Sequence, residues 1–218
     1  MSKTDMQLKE DIEAELLWDP KVNAAQIGVS VDKGAVTLTG AVDSFPIKWA
    51  AEDAVKRVAH VRSVAEELTV KILGEHKRTD TEIAQTALEA LRWDVWVPKT
   101  VKASIRQGHV TLQGEVEWNY QREAAERAVR SLAGVTGISN SIHLKTNASS
   151  AQVKERVQAA LQRQAMHDAS SINVETVGGT VTLSGNASSW HAIEDAAHAA
   201  WAATGVTNVI DKVVMTGF

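Results

Sequence analysis

The sequence predicts an α+β protein built from three tandem α-β-β-α-β modules, each a three-stranded mixed sheet with two helices on one face. Three observations carry this. The pattern G-x-V-T-L-x-G occurs as Gly34–Gly40, Gly108–Gly114 and Gly179–Gly185, spaced 74 and 71 residues apart. Each copy is preceded, 32, 31 and 32 residues before its Val, by an S/T-x-x-E/Q helix-start signature: Thr4…Gln7, Thr79…Glu82 and Ser149…Gln152. Each is followed by an alanine-rich amphipathic stretch and a further alternating segment. A long-period repeat of this kind overrides the one- or two-domain prior for a 218-residue chain. The modules are placed at 4–73, 79–146 and 149–217.

Taken in order, each module opens on a helix. Leu8, Ile12 and Leu16 recur at i, i+4, i+8, as do Ile83, Ala87 and Leu91, and Val153, Val157 and Leu161. That spacing puts one apolar stripe toward a core. Trp18-Asp19-Pro20 and Trp93-Asp94 close the first two helices, Pro20 being a natural stop. Trp18 and Trp93 occupy the same slot and are assigned to structure.

A first strand follows by alternation at Ile27, Val29 and Val31, at Val101, Ala103 and Ile105, and at Ile172 and Val174. Asp32-Lys33-Gly34, Gln107-Gly108 and Gly178-Gly179 supply hairpin turns into the G-x-V-T-L-x-G strand. In that strand Val and Leu share one face and Thr the other. The second glycine of each motif (Gly40, Gly114, Gly185) reads as a tight exit where a Cβ would clash. A loop of about 5 to 8 residues then leads to the second helix. The inner stripe of this helix is Ala51, Val55, Val58, answered by Ala125, Val129, Leu132 and by Ala196, Ala200, Ala203. It is expected to end at Val61-x-x-Val64, Gly134-Val135-x-x-Ile138 and Gly205-Val206-x-x-Val209. Gly134 and Gly205 suit a left-handed C-terminal cap, and His60 in the same place is less favourable. The last strand carries Leu68, Val70, Ile72; Ile142, Leu144; and Val213, Met215. The crossover into it is expected to be right-handed. The linkers, 74–78 and Thr146-Asn147-Ala148, are too short for free tumbling, which suggests a compact or curved row of three beads.

The strand motif, the element order and the Gly-Val-x-x-Val/Ile element before the last strand together resemble the BON domain, over nearly the whole chain. The resemblance implies a non-catalytic module, usual in bacterial envelope proteins and linked with phospholipid surfaces, osmotic or other stress, and protein association. Residue by residue it carries over only Gly40, Gly114, Gly185, Gly134 and Gly205, all read as structural. The family is often periplasmic or envelope-associated. The charged N-terminal stretch here has no apolar core of a signal and no run approaches the ~20 residues of a spanning helix, so the expectation from sequence is cytoplasmic.

Composition narrows the function further. The formal net charge of −4 gives no footing for nucleic acid, and the absence of cysteine excludes disulfides and thiolate metal sites. The charge is uneven: residues 4–73 hold 8 basic and 12 acidic side chains, whereas 79–146 hold 8 of each. No nucleophile elbow, P-loop, dinucleotide fingerprint or H-E-x-x-H occurs, and no cofactor is expected; the chain reads as non-enzymatic.

The aromatic set is unusual, with seven Trp against one Tyr and two Phe. Phe45, Lys48 and Trp49, and Trp118, Tyr120 and Arg122, place rings beside cations on the expected strand-to-helix loops; Trp96 and Trp190 are further unmatched rings. Amphipathic rings near cations suit a membrane–water interface, and they equally suit a protein interface or packing between modules. The reading is peripheral binding to a phospholipid surface, with a self-associating scaffold or protein partner as the alternative and ion sensing as a second one. His191, Asp195 and His198 fall at i, i+4, i+7, a spacing that can present ligands to a metal, as any solvated helix face can. No metal is expected.

Overall fold

The computed structural model describes residues 3–145, 150–163, 171–187 and 189–216. Module one is α1 (Asp5–Trp18), β1 (Ile27–Asp32), β2 (Ala35–Val42), α2 (Phe45–Arg57) and β3 (Ser63–Val70). Module two is α3 (Asp80–Trp93), β4 (Lys102–Arg106), β5 (His109–Val116), α4 (Asn119–Arg130) and β6 (Gly137–Leu144). Module three is α5 (Ser150–Arg163), β7 (Ile172–Val177), β8 (Thr180–Ala187), α6 (Trp190–Trp201) and β9 (Asn208–Met215). The Ser149 cap, the Thr146-Asn147-Ala148 linker and residue 217 lie outside the described residues.

In each sheet the middle strand is the one that carries the repeated motif. It pairs antiparallel with the strand before it (Val29↔Leu38 in module one) and parallel with the last (Val36↔Val64). The α+β class and mixed three-stranded sheets therefore hold. The helices cover one face, and the expected stripes fill the core. Leu8, Ile12 and Leu16 meet Val36, Leu38 and Val55; Ile83, Ala87 and Leu91 meet Val110, Leu112 and Val129; Val153, Val157 and Leu161 meet Val181, Leu183 and Ala200.

Both described caps are capping boxes. Thr4 Oγ1 accepts from Gln7 N at 3.3 Å and Gln7 Oε1 from Thr4 N at 3.1 Å; Thr79 and Glu82 do the same at 3.3 and 2.8 Å. The Thr79 amide holds the Glu82 carboxyl below its ordinary range, with the Thr79 hydroxyl adding to it. The aspartate after each cap does something that sequence alone did not disclose. Asp5 accepts from the Lys33 and Gly34 amides at 2.8 and 3.2 Å, and Asp80 from those of Gln107 and Gly108, both at 2.8 Å. These hairpin turns have positive φ at both residues (50° and 80°, 53° and 76°), so each helix N-terminus clamps a two-residue turn. Asp80→Ala is expected to cost about 1–2 kcal/mol in urea unfolding, since it orphans two turn amides.

Three expectations are corrected. Gly40, Gly114 and Gly185 are not exits: each lies inside its strand, which runs two residues further. The following loop is correspondingly short, two residues (Asp43-Ser44, then Glu117-Trp118), because the helix starts sooner than the motif suggests. The second helices also stop earlier, at Arg57, Arg130 and Trp201, and Val64, Ile138 and Val209 already belong to the last strands. His60 does take the left-handed position of Gly134 and Gly205, with φ 75° against 90° and 89°.

The modules do not form a row. The Arg130 guanidinium of α4 lies 4.1 Å over the Trp49 ring of α2, joining modules one and two. Arg122, at the other end of α4, lies 4.7 Å over Trp201 at the end of α6, joining two and three. Modules one and three also touch: α2 contacts α6, and Arg62 lines one cleft with Trp190, Ile193 and Met215. The three second helices thus meet, the N-terminal half of α2 against the C-terminal end of α4 and the N-terminal half of α4 against the C-terminal end of α6. No helix among the described residues is long and apolar enough to cross a membrane.

Beneath module one, Arg57 binds Glu15 at 3.0 Å, Asp19 at 3.1 Å and Asp53 at 2.8 Å. Burial alone lowers the Arg57 pKa, but its bonds to Glu15 and Asp19 outweigh this and raise it. Asp19 is held below the usual carboxylate range, first by the Lys21 amide and then by Arg57, against the opposing effect of burial. The native state therefore keeps Asp19 ionised more readily than the unfolded chain does. Its contribution is present above the unfolded-state pKa and disappears as pH falls through the lower native value. Asp19→Ala is expected to cost about 1–2 kcal/mol near neutrality. Acid titration of both proteins, followed by urea midpoints, should bring them together below the ordinary carboxylate range.

Candidate functional site

The aromatic residues sort into three groups. Trp96, Trp118 and Tyr120 converge at one end of module two. The Trp96 and Tyr120 rings are edge-to-face with centroids 5.7 Å apart, and Trp118 stacks on Tyr120 at 6.5 Å with 27° between planes. Such geometries suit ring quadrupoles. The cluster faces outward at Trp96, 58 % exposed, and Tyr120, 44 %, beside Val95 at 89 %, with Trp118 half-buried.

Local chemistry fixes it there. Asp94, the C-cap of α3, accepts from Trp96 N at 2.9 Å and so turns the chain out of the helix with Val95 and Trp96 at the tip. Trp118 is the N-cap residue of α4 and Tyr120 sits in its first turn; neither is on a loop body as expected. Trp118 offers no capping oxygen, so Gln121 reaches back, its Oε1 accepting from Glu117 N at 3.0 Å and Trp118 N at 3.1 Å.

The other modules show what module two has changed. At the N-cap they carry Ser44 and Ser189, and Ser189 does cap, accepting from Ala192 N at 3.2 Å. At the tip after the first helix, module one has Pro20 and Lys21, held by Asp19 as Asp94 holds Trp96 (3.0 Å). Polar or turn-forming residues there are replaced by Val95, Trp96 and Trp118.

The second group joins modules. Trp49 and Trp201 take Arg130 and Arg122, Trp190 lines the cleft with Arg62 and donates to Glu194 at 3.1 Å, and Phe45 packs on the module-two core. Arg122 is partly buried, and that burial lowers its pKa against the pull of Glu123 and Glu126. Lys48 is also taken up internally, by Glu66 at 2.8 Å and the Leu68 carbonyl at 2.7 Å. Arg122 and Lys48 therefore do not stand beside the exposed rings. Arg92, Lys99 and Lys102, next to Val95, are the cations near that end.

The third group is Trp18 and Trp93, assigned from the sequence to structure: they are 83 % and 82 % exposed, each the last helical residue on the outer face, so neither ring fills a core. His191 and Asp195 are 3.7 Å apart on an exposed face of α6; among the described residues no three His, Asp or Glu side chains are grouped so that they could hold a metal ion.

With that geometry in hand, the comparisons with known proteins decide the family. A family model described as BON domain matches residues 4–72, 79–146 and 149–217. The chain belongs to the BON domain family. This BON protein is 28 % identical over 146 residues to osmotically-inducible protein Y of Escherichia coli (strain K12), covering 65 % of this chain and 73 % of that protein. Among solved structures it is similar to CdsD, a structural protein of the type III secretion system of Chlamydia trachomatis. That match has 16 % identity and a TM-score of 0.28, covering 97 % of this chain and 93 % of that one. It is also similar to the periplasmic domain of the type III secretion inner membrane protein PrgH from S. typhimurium, at 9 % identity, TM-score 0.24, 88 % and 95 % coverage.

Proposed function

We propose that this BON protein is a non-catalytic, peripheral binder of anionic phospholipid surfaces and acts in osmotic or envelope stress. The observation that carries the reading is the outward-facing Trp96–Trp118–Tyr120 cluster on the one module whose charges balance. Rings of this type bury an apolar body in the headgroup boundary while keeping a polar edge hydrated. Arg92, Lys99 and Lys102 stand close enough to that end to add electrostatic attraction, at about 1 kcal/mol per cation near an anionic surface. Similarity to an osmotically-inducible protein supports the stress context. The character of the exposed site, rings and aliphatic side chains without a nucleophile–base pair among them, supports the absence of catalysis.

Flotation with phosphatidylglycerol-containing vesicles tests it. The protein is expected to float at low salt and to lose binding as salt rises. Trp118→Ala should weaken binding about tenfold, the worth of one well-buried ring. Absence of flotation across lipid compositions would sink the reading.

Trp18 and Leu17, 83 % and 78 % exposed at the end of α1, favour a second reading in which the protein self-associates. Light scattering at high concentration tests this, and a strictly monomeric particle would remove it.

A further inference from the structure

Module two carries a second feature that neither the ring cluster nor the family explains: a groove of about 840 Å³ between α3 and β4, floored by Ala84, Leu88, Val95, Val97, Val101 and Ala103. β4 is an edge strand; it pairs with β5, and among the described residues no strand pairs with its other side. Because α3 packs over β4, the α3 stripe next to the core-facing one overhangs that open edge. Leu88 on this stripe is 69 % exposed.

The repeat supplies its own comparison. Counting from the capping threonines, Ala84 and Leu88 correspond to Lys9 and Glu13 in module one, an exposed ion pair at 3.6 Å. Counting from Ser149, they correspond to Lys154 and Gln158 in module three, both exposed. Among the described residues, module two alone carries apolar side chains at these two helix positions. Edge strands left open are usually blunted, and an overhanging apolar stripe would cover the inner side chains of one more strand.

We propose that this groove binds an extended peptide segment of alternating apolar and acidic residues, which adds to β4 as a fourth strand. Its apolar side chains enter the groove under Leu88 and Val95. Its acidic side chains fall on the other face, opposite Lys102 and Arg106, which are exposed on β4. Lys99 and Arg92 lie at the groove itself. Charge complementarity chooses the partner: these four cations are not ion-paired among the described residues, and the Asp94 carboxylate beside them is engaged by the Trp96 amide. Cross-strand pairs of opposite charge and main-chain bonding along a free edge are the two terms such recognition uses. The proposal does not depend on membrane binding.

The test uses the full chain and a short, dye-labelled peptide alternating valine and glutamate, followed by anisotropy and by amide shifts of β4. Saturable micromolar binding is expected, with the largest shifts in Lys102–Arg106. Leu88→Glu, which installs the module-one residue at an exposed position, should weaken it about tenfold or more. Lys102→Glu, which leaves Arg92, Lys99 and Arg106 in place, should weaken it as well. N-methylation of alternate peptide amides should abolish binding. The proposal is overturned if there is no saturable binding, if Leu88→Glu or the N-methylated peptide binds equally, or if β4 is found covered by a second copy of the chain.

Discussion

Gly114→Ala is expected to destabilise module two by about 3 kcal/mol, enough to lower its thermal midpoint by roughly 10 °C or more. Gly114 holds φ +140°, and a Cβ there would stand 2.5 Å from the Thr100 carbonyl oxygen and 3.1 Å from the Val101 Cα. The obstacle is backbone of the chain entering β4, so no rotamer change can relieve it. Gly40 and Gly185 repeat the situation, with the carbonyl oxygens of Gln26 and Ser171 in the way of a Cβ. The second glycine of the repeat thus exists to let the chain pass under the middle strand. Gly178→Ala makes the control: φ is +60° but the space is open, so only the left-handed cost of about 1 kcal/mol applies. Equal losses for Gly114→Ala and Gly178→Ala in differential scanning calorimetry would refute the close-approach account.

Trp201→Ala should be nearly as damaging, at about 3 kcal/mol, and should act between modules as well as within one. The ring packs on the module-three core and also receives the Arg122 guanidinium. Its loss leaves a partly buried cation without its face, in a site where burial already disfavours the charge. Small-angle scattering is expected to report a larger radius of gyration as module three separates. Trp93→Ala, which removes a ring of similar size from an exposed helix end, should change stability by less than about 0.5 kcal/mol.

Much of this architecture is legible in the sequence because it is local. Three capping signatures, three i, i+4, i+8 stripes and a period-2 motif between glycines give helices, strands and their order. The clamps by Asp5 and Asp80 are less visible, although the Thr-Asp pair at both caps is a usable signal. The role of the second glycine is not legible, because positive φ in a turn and close approach inside a strand both select glycine. Trp118 reads as a loop residue because an N-cap there carries none of the usual oxygen; for Phe45 the signals against a loop are Ser44 and Pro46, at the start of α2.

Which tryptophans face outward depends on contacts between modules. Arg130 with Trp49 and Arg122 with Trp201 come from different copies of the repeat, and no spacing rule links them. The exposed cluster emerges only once those joints have claimed their rings. Comparing the modules position by position, Lys9 and Glu13 against Ala84 and Leu88, would have marked the groove without any structure.

The measurement that bears most directly on the account is tryptophan emission during titration with phosphatidylglycerol and phosphatidylcholine vesicles. A blue shift is expected with the anionic vesicles, weakened by salt and lost when Trp96 and Trp118 are both replaced by alanine. An unchanged spectrum, or a shift that survives the double replacement, would mean that this end of module two does not enter the bilayer surface.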